Sequence, residues 1–174
     1  MEFTSRCPSI INRKQLRECV SLLDQEYITL PYHIYIYKNR QELERERNET
    51  PNMLDESYKT ILENKAAVPI GICLDDIKMI KIFPFNLDDT ESDAIKCKVI
   101  WNVFHEIRHA WQYSKNMYTE EALILSPENI KDYYDQNSER DANLFADEFY
   151  KNKVSELLKI LEINRGILIQ SKVL

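Results

Sequence analysis

Three features of the chain predict an α+β fold, in which a small mixed or antiparallel sheet of about three strands packs on a long central helix. Short runs rich in β-branched and aromatic residues alternate with longer segments of helical periodicity. Polar turn sequences separate these runs. The 174 residues, 44% of them hydrophobic, suffice for one core and are too few for two. We therefore expect a single domain over residues 1–174, with its core at about residues 68–150.

The N-terminal part predicts a helix, a strand and a charged segment. Apolar residues recur at helical spacing over residues 9–27, which predicts an amphipathic helix. Residues 28–37 are rich in β-branched and aromatic types and predict a strand, in which His33 is expected to be a half-buried strand residue. The highly charged residues 39–51 predict an exposed loop or irregular helix, and a short helix is expected at residues 56–64.

The middle of the chain predicts a hairpin followed by the longest helix. Residues 68–74 and 79–85 are apolar runs separated by Asp75-Asp76-Ile77-Lys78, which is typical of a hairpin. A helix is then predicted from Thr90, as its N-cap, to about residue 116. A stripe of apolar residues at i, i+4, i+7 and i+11 predicts that this helix is buried and central: Ile100, Phe104, Ile107 and Trp111.

Two further helices are predicted in the C-terminal part. Ser126-Pro127-Glu128 has the signature of a helix start, with proline at the first helical position. Ser138 is the predicted N-cap of a last long helix, which continues to about residue 164 before Gly166 ends it. The predicted buried stripe of this helix consists of Ala142, Phe145, Ala146 and Phe149.

Charge and cysteine usage exclude several classes of function. The 23 basic residues are interspersed with 29 acidic ones, giving a net charge of −6, which argues against a nucleic-acid partner. No apolar run approaches the ~18 residues of a membrane span, and the N-terminus does not resemble a signal peptide, so we expect a cytoplasmic protein without a membrane partner. The four scattered cysteines, without a CxxC pair, are expected to be reduced, partly buried thiols.

The strongest chemical signal is the pentad His105-Glu106-Ile107-Arg108-His109, which uses two of the three histidines of the chain. Side chains at i and i+4 lie one above the other on a helix, so two imidazoles can meet a single cation. A glutamate directly after the first histidine lies where it can take a proton from water. This HExxH spacing is the zinc-metallopeptidase motif.

A catalytic zinc site requires a third protein ligand, and no histidine follows His109. A carboxylate on a later helix is therefore expected. Periodicity favours Glu139, because the buried stripe of the last helix reaches this residue when it is extended back by one turn. Asn143, four residues later, is the predicted hydrogen-bond partner of a ligating side chain. The acidic residues formally available are Glu120, Glu121, Glu128, Asp132, Asp135, Glu139, Asp141, Asp147 and Glu148. Asp141 is alternatively expected to be the reciprocal partner of the Ser138 cap.

The pentad and the segment Glu139-Arg140-Asp141-Ala142-Asn143-Leu144-Phe145-Ala146 together resemble small metallopeptidases of the gluzincin type. The nearest resemblance is to the ImmA/IrrE-like group of bacterial and phage proteases, or to a neighbouring family. It covers roughly residues 68–150. The resemblance implies a minimal zincin-like domain with Zn²⁺ held by His105, His109 and Glu139. It also implies a protein or peptide substrate in the cell, such as a repressor.

The expected activity is hydrolysis of a peptide bond with Glu106 as the catalytic residue. Zinc would lower the pKa of its water and polarise the carbonyl, while Glu106 would carry the proton to the leaving amine. The substrate is expected to lie along residues 79–85, predicted to be an edge strand, by β-augmentation. Tyr133 and Tyr134 are candidates for a hydroxyl that stabilises the oxyanion.

Two other interpretations remain open. The protein can be a catalytically silent zincin that serves as a protein-binding regulatory module, although such a module has no need of Glu106. Alternatively, His105 and His109 can be hydrogen-bonded core residues of a helix pair that binds no metal.

Overall fold

The computed structural model describes residues 1–63, 68–121 and 135–163, and it has the predicted α+β architecture. Within these ranges the chain forms four strands, six α-helices and a 3-10 turn at Pro84–Asn86. In chain order the strands and α-helices are β1 (Glu2–Ser5), α1 (Arg13–Val20), α2 (Gln25–Ile28), β2 (His33–Ile36), α3 (Arg40–Glu49), α4 (Asp55–Leu62), β3 (Gly71–Leu74), β4 (Met79–Ile82), α5 (Ser92–Ser114) and α6 (Asn137–Ile160).

The sheet is mixed, and its strand order is β1-β2-β4-β3. The predicted hairpin is confirmed as the antiparallel pair β3–β4, whereas β1, which pairs parallel to β2, was not predicted. The prediction that residues 79–85 form an edge strand is wrong. β4 pairs with β2 on one side and with β3 on the other, so β3 is the edge strand next to it. Either strand of the hairpin could pair with β2. The apolar pattern of the hairpin does not predict which one does, because this pairing joins segments that are distant in the sequence.

The N-terminal helices differ from their predictions in extent. Residues 9–27 form two helices, α1 and α2, instead of one. α1 begins at Arg13 because the side chains of Asn12 and Gln15 bond to each other's backbone N–H groups at 3.0 and 3.1 Å, a capping box. The charged segment forms a regular helix, α3, whose first turn is capped by Asn39 through a 3.0 Å bond from the Glu42 backbone N–H.

The sheet separates two apolar clusters. The larger one lies between the sheet, α1, α5 and α6, and includes Ile34 and Ile80. The smaller one lies between the opposite face and helices α3 and α4. On that face Lys81 is 0% exposed, and its ammonium group donates to Glu46 Oε1 at 2.6 Å and to Asn52. This buried pair fastens α3 to the central strand.

The two long helices that carry the motif residues begin differently from the predictions. Thr90 is not the N-cap of α5: Glu91 occupies that position, without a side-chain cap bond. Ser138 is not the cap of α6 either, because the helix begins at Asn137. Its first turn is capped from outside by the Glu121 carboxylate, which accepts from the backbone N–H groups of Asn137 at 2.9 Å and Ser138 at 3.1 Å. The negative charge of this carboxylate also interacts favourably with the positive end of the helix dipole.

The stripe predicted for α5 is confirmed, since Ile100, Phe104 and Ile107 are fully buried and Trp111 packs at the margin of the larger cluster. The helix start predicted at Ser126 and the helix end predicted at Gly166 lie outside the described residues. No helix in the described ranges has both the length and the apolar character that crossing a membrane requires. The four cysteines are free thiols, three of them buried, as predicted.

Candidate metal centre

The three predicted ligands converge at one buried point. Nε2 of His105 lies 3.0 Å from Nε2 of His109 and 3.4 Å from Oε2 of Glu139. Nε2 of His109 lies 3.2 Å from Oε1 of Glu139. One donor atom from each residue falls within 4.8 Å of the other two. The cluster therefore brings three metal-binding atoms to a common centre.

Two helices position these three side chains. His105 and His109 lie one turn apart on α5, and Glu139 lies in the first turn of α6. α6 can approach α5 closely because Ala142 and Ala146, both fully buried, are small. The predicted inward face of α6 is thus confirmed, and it carries Glu139 into the centre.

The ring of His109 is oriented by Gln112, a residue that the sequence analysis did not single out. Nδ1 of His109 lies 2.8 Å from Oε1 of Gln112. The Gln112 amide nitrogen donates to the Ser138 carbonyl at 2.9 Å and to Asp141 Oδ2 at 2.7 Å. Because both amide protons have acceptors, the amide oxygen must face His109, and Nδ1 must carry the proton. This arrangement leaves the Nε2 lone pair free to bind a metal when the imidazole is neutral.

Asp141 is held in turn by Arg108, the fourth residue of the pentad. The guanidinium donates to both carboxylate oxygens of Asp141, at 2.8 and 3.0 Å, and also to the Tyr27 hydroxyl. Bidentate pairs of this kind fix geometry as well as charge. Burial alone would raise the pKa of Asp141, but the hydrogen bonds from Arg108 and Gln112 lower it. Asp141 therefore remains an acceptor for Gln112, and it is not the partner of a Ser138 cap.

The ring of His105 is oriented by stacking and not by a hydrogen bond at Nδ1. Its ring lies over Trp101 with centroids 5.4 Å apart and planes inclined by 26°. Trp101 is anchored by a 2.8 Å hydrogen bond from its indole N–H to Asp147. Nδ1 of His105 is buried and has no hydrogen-bond partner in the described part of the chain. The two histidines are thus oriented by different interactions.

The cluster is strongly coupled electrostatically. Burial would raise the pKa of Glu139, but the hydrogen bonds from His105 and His109 hold it far below its usual range. Burial would lower the pKa of His109, yet the hydrogen bond with Glu139 and the charge of Glu106 raise it to about 9. Two carboxylates therefore surround two imidazoles in a buried space, an arrangement whose charge a divalent cation balances.

Glu106 lies beside this cluster without a fixed partner. It is only 6% exposed, and its carboxylate makes no hydrogen bond with any described residue. Burial raises its pKa, against the opposing charges of His105 and His109. Its side chain packs against Gly71 of β3, where a Cβ atom would come within 2.6 Å of Oε1. A buried carboxylate that forms no hydrogen bond with a described residue has no evident structural role in the described part of the chain.

Other predicted residues have different outcomes. Asn143 is half-buried, and no hydrogen bond in the described ranges joins its side chain to either histidine or to Glu139. His33 is a half-buried strand residue, as predicted, and bonds to the Thr4 hydroxyl at 2.9 Å. Tyr133 and Tyr134 lie outside the described residues.

Three residues at or next to the site were not predicted from the sequence. Gln112 lies three residues after His109, and this helical spacing was an available signal. Tyr113 follows it on α5 with a side chain that is 44% exposed. Gly71 had no local signal, because its role depends on how β3 packs against α5.

The donor set fits a divalent metal ion, since one nitrogen from each of two imidazoles and one carboxylate oxygen converge within 4.8 Å of one another. The structure thus supports a buried His-His-Glu site that can hold a metal. Comparisons of the chain with models of protein families, with curated proteins and with solved structures found no match.

Proposed function

We propose that the protein is a zinc-dependent peptidase that hydrolyses a peptide bond. The observation that carries this proposal is the Glu106 carboxylate, which is buried beside the His105-His109-Glu139 cluster and makes no hydrogen bond in the described part of the chain. A site that only stored a metal, or a helix pair that only packed, would gain nothing from such a group. Burying it without a partner costs free energy.

Zinc is the metal that this donor set favours. Two histidines and one glutamate form a common set of protein ligands in hydrolytic zinc sites, which keep a further position for water or substrate. Bound there, zinc would supply Lewis-acid polarisation of the scissile carbonyl and lower the pKa of water. Gln112 supports this role because it keeps Nε2 of His109 unprotonated in the neutral ring.

Glu106 is the proposed general base and acid. Its carboxylate accepts one proton from the attacking water as the oxygen of that water bonds to the carbonyl carbon. The same proton then passes to the amine nitrogen as the C–N bond breaks, so that Glu106 ends ionised, as it began. Burial raises the pKa of Glu106, which makes its carboxylate a stronger base than an exposed glutamate.

The proposed substrate is an extended polypeptide segment that pairs with β3, not with the interior strand β4. Phe83 donates its backbone N–H to the Ile70 carbonyl at 2.7 Å, and Tyr37 donates to the Ile82 carbonyl at 3.0 Å. With the register Gly71↔Ile82 and Cys73↔Ile80, the antiparallel alternation turns the N–H and C=O groups of Gly71 and Cys73 away from β4. No backbone hydrogen bond from another described residue occupies these groups, and we propose that a substrate main chain pairs with them.

The side-chain hydroxyl of Tyr113 is a candidate hydrogen-bond donor to the substrate. Tyr113 lies one turn after His109, and its hydroxyl makes no hydrogen bond with a described residue. Burial raises its pKa to about 12, and the charges of Cys73, Glu106, Asp75 and Glu139 act in the same direction. The raised pKa keeps the proton of the hydroxyl available at neutral pH.

The decisive experiment compares the wild type with Glu106→Gln. We expect both proteins to bind one zinc ion per chain with similar affinity, because Glu106 is not among the converging ligands. Hydrolysis of an unstructured protein or peptide library by the wild type should fall by several orders of magnitude in the variant, to background. Glu120→Gln, in an exposed position, is the matched control and should keep full activity.

Two results would refute the proposal. Retained turnover in Glu106→Gln would exclude the assigned mechanism. Zinc binding without turnover in the wild type would favour the silent regulatory module. The resemblance to ImmA/IrrE-like proteases favours an intracellular regulatory protein as the first substrate to test.

A further inference from the structure

Gly71 faces the Glu106 side chain at very short range. A Cβ atom built on Gly71 would lie 2.6 Å from Oε1, 2.8 Å from Cγ and 3.0 Å from Cδ of Glu106. All three nearest atoms thus belong to one side chain. The carboxyl group of Glu106 occupies the space that any other residue type at position 71 would fill.

The backbone at this position does not itself require glycine. No glycine in the described ranges has a positive φ angle, so Gly71 adopts a conformation that other residues tolerate. Glycine is also disfavoured inside strands, where it adds chain entropy and no packing. The whole chain contains only two glycines. Its presence in β3 is therefore explained by the room it leaves for Glu106.

We infer that Gly71 is a positioning residue for Glu106: the missing side chain creates the space in which the carboxylate rests beneath the edge strand. This inference rests on the proposed function, because a defined position matters only if Glu106 acts on substrate. The same residue turns its main-chain N–H and C=O away from β4, toward the side of β3 that no described strand pairs with. Glycine at position 71 thus brings the carboxylate close to the main chain of a paired peptide.

The contact predicts which part of the structure yields when the space is filled. The closest atom, Oε1, is the end of a flexible side chain, whereas β3 is fixed by its pairing with β4. Gly71→Ala should therefore leave the fold intact and displace the carboxylate. A displacement of about 1 Å at a reacting group can lower the rate about 10²-fold. The metal ligands make no such contact with Gly71, so zinc affinity should not change.

The test combines crystal structures with a double-mutant cycle. We expect metal-free Gly71→Ala to show the Glu106 carboxylate displaced and β3 in place, and the zinc-loaded variant to lose about 10²-fold in kcat. Ile72→Val, on the opposite face of β3, is the matched control and should keep both the carboxylate position and kcat. In a Glu106→Asp background the side chain at position 106 is one methylene shorter. Gly71→Ala should there reduce kcat by a much smaller factor than in the wild type.

The outcomes separate this inference from the proposed function. A Gly71→Ala structure with Glu106 unmoved and β3 shifted would overturn the inference, as would additive effects in the cycle. If the wild type proves inactive with zinc, the proposed function fails, while the crystal structures still test the displacement. If Gly71→Ala does not fold, Gly71→Ala combined with Glu106→Ala decides: folding of the double variant supports the steric contact, and failure overturns it.

Discussion

Replacing Gln112 by Met should weaken metal binding without changing any metal ligand. Gln112 is 3% exposed and bonds to His109 at 2.8 Å, to Asp141 at 2.7 Å and to the Ser138 carbonyl at 2.9 Å. Methionine has a similar shape and fills the same space, but its sulfur is only a weak acceptor for the Nδ1–H group, and it has no N–H donor for Ser138 or Asp141. His109 then loses the interaction that selects its tautomer.

The expected magnitude follows from these three hydrogen bonds. Loss of an outer partner of a metal-bound histidine typically weakens metal affinity about 10- to 100-fold, or about 1.4–2.7 kcal/mol. The buried Nδ1–H and the Ser138 carbonyl also lose their partner, which should lower the free energy of unfolding of the metal-free protein by about 1–3 kcal/mol. Asp141 keeps both of its bonds from Arg108, so α6 should remain docked.

The assay is competition for zinc against a chromophoric chelator, with urea unfolding of the metal-free protein in parallel. Asn143→Ala is the matched control, because Asn143 was the predicted partner of a ligand and makes no such bond in the described structure. We expect its zinc affinity to equal that of the wild type. Wild-type affinity in Gln112→Met, or a loss in Asn143→Ala, would refute the reasoning about how His109 is oriented.

Two further predictions concern tyrosines. Tyr113→Phe should reduce kcat about 10²-fold, the usual loss for one oxyanion donor, and leave zinc affinity unchanged; full activity would exclude a role for this hydroxyl. Burial, together with a hydrogen bond to Glu46, raises the pKa of Tyr58 to about 12, whereas the unfolded chain has about 10. Its contribution to stability is therefore complete below pH ~10 and is lost as the pH rises through about 12. Urea unfolding at a series of alkaline pH values should show this loss of stability in the wild type and a smaller loss in Tyr58→Phe. If the free energy of unfolding falls equally with pH in both proteins, the assignment is contradicted.

The candidate ligands were predictable because they depend on short-range helical geometry. Residues at i and i+4 share a helix face in any protein, so the pentad placed His105 and His109 together before the fold was known. Glu139 followed from the apolar stripe of α6, since a carboxylate at a core-facing position needs a partner. The hairpin and the long α5 were likewise evident from local apolar periods.

The surroundings of the ligands depended on contacts between distant segments. Asn143 has the right helical spacing to reach a ligand, but the hydrogen bond to His109 comes from Gln112 of α5, and the Gln112 amide group is in turn held by Ser138 and Asp141 of α6. β4 has the apolar character of either an edge or an interior strand, and only its pairing with β2 makes it interior. The cap of α6 comes from Glu121, sixteen residues before Asn137, where no capping-box spacing applies.

The three candidate ligands are thus predictable from the local sequence pattern, because helix geometry alone brings two imidazoles together and turns one acid toward the core. The tertiary structure decided which groups orient these candidate ligands and which strand lies next to Glu106. A single glycine illustrates the difference. In the sequence Gly71 is an ordinary strand residue, and only the packing of β3 on α5 reveals that its missing side chain accommodates Glu106. Side-chain periodicity is a property of one element, whereas clearance between two elements arises only when they pack.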